Sequence, residues 1–84
     1  SLGYQALQAG PSAMTVMNAT NEVAVSAFLS GRLSFNQIAI LIDRVLQQHV
    51  STSVSSLEEV IEIDQQARKQ TEYCIVKSLD RFKD

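Results

Sequence analysis

The chain has one histidine, His49, and one cysteine, Cys74. A zinc site needs several His, Cys or carboxylate donors at short spacing, and neither H-E-x-x-H nor C-x-x-C occurs. His49 falls near a predicted helix C-terminus, where a protonated imidazole complements the helix dipole. Cys74 has no nameable base that would make it a nucleophile, so it reads as a packing residue. Gly3, Gly10 and Gly31 stand apart, so no phosphate-cradling loop is present. Glu58, Glu59 and Glu62 fall in the first turns of a predicted helix, where carboxylates favour its positive end. No nucleophile–base pair or metal cluster assembles from these types and spacings.

Two sets of polar residues are more informative. Asp64 and Arg68 are spaced i,i+4 and can pair. On a helical wheel both fall in the apolar face between Ile61, Ala67 and Ile75, where a charge must be paired and hydrogen-bonded. Asn18 and Asn21 fall in the apolar arc of an earlier helix, where buried amides need partners. Asn18, Asn21, Glu22, Asp64 and Arg68 are therefore expected to form an internal polar network that fixes geometry, with the two asparagines either joining the Asp64–Arg68 pair or accepting bonds from a neighbouring loop.

The elements that hold these residues follow from periodicity. Residues 1 to 9 read as a short helix, with Leu2, Ala6 and Ala9 at helical spacing. Gly10 suits that helix's end and Pro11 the first turn of the next. A long central helix is expected over 12–30. Thr15, Ala19, Glu22, Ser26 and Ser30 form its narrow small-or-polar stripe, and the remaining arc is apolar, the mark of a helix contacted from several sides. Gly31 is a natural stop. Ser34 with Gln37, and Ser56 with Glu59, have capping-box spacing. They open helices expected over 35–49 and 57–82. The first would bury Phe35, Ile38, Ala39, Leu41, Ile42, Val45 and Leu46. The second would bury Leu57, Val60, Ile61, Ala67, Ile75, Leu79 and Phe82. Residues 50–55 read as a polar loop. Ile40 projects from a polar face, and Tyr73 and Val76 lie off-face. The expected fold is all-α, a small bundle of four helices in a single domain over 1–84.

Composition narrows the class. The 84 residues are 45% apolar and 19% charged, with a formal net charge of −2. A chain of this size buries roughly 60% of its unfolded surface. It is too short for a dinucleotide-binding domain, which usually needs well over ~100 residues. Mild acidity argues against nucleic acid as a partner, and no run approaches a membrane span of ~18 apolar residues. A single cysteine allows no internal disulfide. The start, Ser1-Leu2-Gly3-Tyr4, has neither an initiator Met nor signal-peptide regions, so the chain is expected to be a piece excised from a longer one.

The stretch from Gly10 to Leu29 resembles the C-terminal domain of the 1-deoxy-D-xylulose 5-phosphate reductoisomerase family. That family carries a leucine-asparagine-alanine-alanine-asparagine-glutamate run on a helix ending in Ala-Phe-Leu. Here the run reads Met17-Asn18-Ala19-Thr20-Asn21-Glu22, and the helix ends Ala27-Phe28-Leu29. The likeness extends to Tyr4-Gln5-Ala6-Leu7 before it and to Arg32-Leu33-Ser34-Phe35 after it. It returns at Ser56 to Val60 and at Asp64 to Arg68. Met17 and Thr20 depart from the pattern, Pro11-Ser12 stands where small residues are usual, and the loop from Val50 to Ser55 matches nothing in it.

The resemblance implies a longer parent enzyme that uses NADPH and a divalent metal, Mg or Mn. It would convert 1-deoxy-D-xylulose 5-phosphate to 2-C-methyl-D-erythritol 4-phosphate in isoprenoid precursor synthesis. The family's other domains supply the cofactor, metal and phosphate contacts. No catalytic, cofactor or metal residue is therefore assigned to this chain, whose role would be to buttress the catalytic domain. The family further implies a homodimeric parent in the bacterial cytoplasm, or in a plastid. The alternative is a stand-alone helical interaction module that dimerises without catalysis.

Overall fold

The structure is a computed structural model that describes residues 10–82, with side chains through Lys77. Three helices follow one another: α1 (Pro11–Leu29), α2 (Phe35–Gln48) and α3 (Leu57–Phe82). Among the described residues there is no strand, so the all-α class holds. The described helices number three rather than four, and the short helix expected over residues 1 to 9 lies outside the described residues.

Local chemistry sets the ends. Gly10 is the N-cap of α1, with φ 100°, and Pro11 fills the first turn, where a missing N–H costs nothing. After α1 the Gly31 N–H donates to the Phe28 carbonyl at 3.1 Å and the Arg32 N–H to the Ala27 carbonyl at 2.8 Å. This is a Schellman turn, and the glycine's φ of 82° is the left-handed conformation that such a turn requires. The Ser34–Gln37 capping box forms in both directions. The second box forms only in part. Ser56 Oγ accepts the Glu59 N–H at 3.2 Å, but the Glu59 carboxylate reaches one residue further back, to the Ser55 N–H at 2.7 Å.

Helix α1 packs against both other helices, while α2 and α3 meet over a smaller area. It buries Ser12, Ala13, Val16, Ala19, Thr20, Ala24 and Ala27. Helix α2 buries Leu41, Ile42 and Val45. Helix α3 buries Ala67, Thr71, Cys74 and Ile75, with Ile63 packed alongside.

The buried seam of α3 is thus rotated from the expected face toward Ile63, Ala67, Thr71 and Cys74. Leu57 and Ile61, expected in the core, are 70% and 48% exposed. Small side chains let two helix backbones approach closely, and that contact outweighs the larger transfer energy of leucine and isoleucine. On α2, Phe35 and Ala39 are exposed where burial was expected. On α1, Ala19 of the supposed polar stripe is fully buried, and Val25 and Leu29 of the apolar arc are exposed. Ile40, Tyr73 and Val76 are exposed, as their off-face positions predict. Leu79 and Phe82 carry no described side chains.

Candidate functional site

The rotation of α3 carries Asp64 and Arg68 to the edge of its contact with α1. Arg68 Nε donates to Asp64 Oδ1 at 2.6 Å within the helix, and Arg68 Nη2 donates to Glu22 Oε2 on α1 at 2.7 Å. These hydrogen bonds, to Asp64 first and then to Glu22, push the guanidinium pKa further above its already high ordinary value. The Arg68 side chain remains 40% exposed, so this is a surface clasp rather than an internal knot. Asn18 and Asn21 do not join it. Both are exposed, Asn18 one turn before Glu22 on the same side of α1, yet neither has a hydrogen-bond partner among the described residues.

Further ties escaped sequence reasoning. Thr71 Oγ1, fully buried, donates within its helix to the Ala67 carbonyl at 2.7 Å and lies 3.1 Å from the equally buried Thr20 Oγ1 of α1. Arg32, delivered by the Schellman turn, forks onto Glu72 of α3 at 3.3 and 2.9 Å. Pairs separated by 51 and 40 residues leave no local spacing signal.

The only histidine is held at the far end of α1. Ser12 Oγ accepts the Thr52 N–H at 3.0 Å and lies 3.0 Å from His49 Nε2. The end of α2 therefore lies beside the start of α1, and the two helices run antiparallel. Beside this cluster opens a cleft of about 550 Å³, floored by Val16 and walled by His49, Glu59, Glu62, Gln66 and Gln70 among others. Gln70 donates to Gln48 across it.

Serine beside histidine has the residue types of a nucleophile and its base. Here the hydroxyl is fully buried and already receives a backbone N–H, so no substrate carbonyl can reach it. Nor do the residues fit a metal. Asp64 and Glu22 are taken up by Arg68, and Glu59 by Ser55. Among the described residues no three His, Cys, Asp or Glu side chains converge as donors.

The fold and its polar ties define a small helical packing domain whose charged and hydroxyl side chains connect helices to one another. Residues 1–70 match the family described as the DXP reductoisomerase C-terminal domain. The chain belongs to that family. It is 56% identical over 68 residues to 1-deoxy-D-xylulose 5-phosphate reductoisomerase of Thermodesulfovibrio yellowstonii, a match covering 81% of this chain and 18% of that protein. The same enzyme of Geotalea daltonii is 54% identical over 68 residues, with the same coverage. Among solved structures, 1-deoxy-D-xylulose 5-phosphate reductoisomerase from Zymomonas mobilis in complex with NADPH superposes with a TM-score of 0.84 at 36% identity. That match covers 88% of this chain and 20% of the other. The chain thus spans under a quarter of the length of these relatives.

Proposed function

We propose that these 84 residues form one helical domain of a longer 1-deoxy-D-xylulose 5-phosphate reductoisomerase. In this reading the parent uses NADPH and Mg or Mn to convert 1-deoxy-D-xylulose 5-phosphate to 2-C-methyl-D-erythritol 4-phosphate. It works as a homodimer in the bacterial cytoplasm or a plastid. The family match over residues 1–70 carries the reading. By the family resemblance, the contacts to the metal and to NADPH are assigned to other parts of the parent. This domain contributes rigidity: it buttresses the catalytic domain, since misplacement by ~1 Å can cost a hundredfold in rate. Glu22, Asp64 and Arg68 serve that rigidity by clasping α1 to α3.

The test is turnover by the full-length chain, followed as NADPH oxidation on 1-deoxy-D-xylulose 5-phosphate, with and without these 84 residues. Activity in the full chain and its loss on deletion are expected. An inactive full chain overturns the enzyme assignment, and an unimpaired deletion overturns the buttressing role. A second reading, a self-associating module, draws on exposed Ile40 and Tyr73. Sedimentation of the 84-residue chain as a monomer at high concentration would exclude it.

A further inference from the structure

One face of α1 has no business in water. Asn18, Asn21, Val25 and Leu29 follow at steps of three and four, so they share one stripe, and all are exposed. Phe35, 72% exposed, extends its apolar end, where its ring meets Phe28 edge-on at 5.8 Å. From Pro11 to Leu29 the sole charged residue is Glu22, at the edge of this stripe, and its carboxylate is paired with Arg68 on α3. A helix face that looks out on solvent normally carries charge. The outer face of α3 does so, with Glu58, Glu62, Lys69, Glu72 and Lys77.

We infer that this stripe is the surface on which the domain seats against the preceding part of its own polypeptide. The inference rests on the reading above and adds to it the face that docks. Relatives in which these residues make up 18% of the length supply the missing partner. The family is by description a C-terminal domain, so that partner lies before α1, and the chain enters at Gly10, about two turns ahead of Asn18 on the same helix. The chemistry specifies two zones. Val25, Leu29 and Phe35 meet an apolar wall that excludes water. Asn18 and Asn21, each with a carbonyl and an NH2 group, meet peptide groups or side-chain amides of the partner.

The test places single cysteines at Val25→Cys, Leu29→Cys and Asn18→Cys in the full-length chain, with Ile40→Cys on α2 as an exposed reference. Alkylation of each native protein is followed by site-resolved mass spectrometry, and helical content is checked for each variant. The three stripe thiols are expected to react about a hundredfold more slowly than the thiol at position 40. Stripe thiols that react as fast as the reference, in a chain that retains reductoisomerase activity, overturn the docking face and leave the function standing. Protection that vanishes on dilution assigns the face to a second copy and also overturns it. A full chain without activity, but with protected thiols, overturns the enzyme reading and leaves the docking face in place.

Discussion

Helix α1 meets its two neighbours by different means. Helix α2 presents bulk: Leu41, Ile42 and Val45 are buried, with Leu33 before them and Ile38 and Leu46 packed at the edges. Helix α3 presents small residues, Ala67, Thr71 and Cys74, and Ile75 is the one bulky side chain that it fully buries among the described residues. Polar ties compensate: Thr20 to Thr71 inside the contact, Glu22 to Arg68 at its edge, and Arg32 to Glu72 beyond the turn. Bulk secures stability and tolerates exchange of shape, whereas small residues and paired polar groups secure one fixed spacing.

Four substitutions sharpen or break that contrast, each read by chemical denaturation of the 84-residue chain. Leu41→Ala is expected to cost most, about 3 kcal/mol, because it empties the α2 side of bulk. Ala67→Leu should cost about 2 kcal/mol by forcing α3 off a close contact. A neutral or stabilising result there would mean that the α3 contact has slack, and the contrast would fail. Ser12→Ala removes the acceptor of the part-buried Thr52 N–H and the contact to His49, and should cost about 1 kcal/mol. It should also raise hydrogen exchange in the loop that follows α2. Arg68→Gln should cost least, below about 1 kcal/mol, since the pairs are well exposed. That difference should shrink further in high salt, and a salt-independent loss would contradict a solvated clasp.

The helix boundaries and caps could be read from sequence because their causes are local. Ser34 and Gln37 lie three residues apart, and Gly31 ends a helix by its own backbone freedom. The phase of α3 could not. Leu57 and Ile61 weight a hydropathy wheel more than Ala67 and Thr71, yet shape complementarity to α1 decides which side is buried. The polar residues divide in the same way. Asp64 and Arg68 announce themselves by i,i+4 spacing, and their reach to Glu22 follows from the helix contact. Asn18 and Asn21 drew attention as buried amides. Their exposure moves the question from internal satisfaction to an external partner.

Ser12 has a mechanical consequence. It stands two residues after Gly10, where the chain enters α1, and its hydroxyl fastens that entry to His49 and Thr52 beyond the end of α2. Tension arriving along the chain at Gly10 is therefore spread over two helix ends and a loop at once. The first turn of α1 is thus held by the end of α2 and the loop after it as well as by its own backbone bonds.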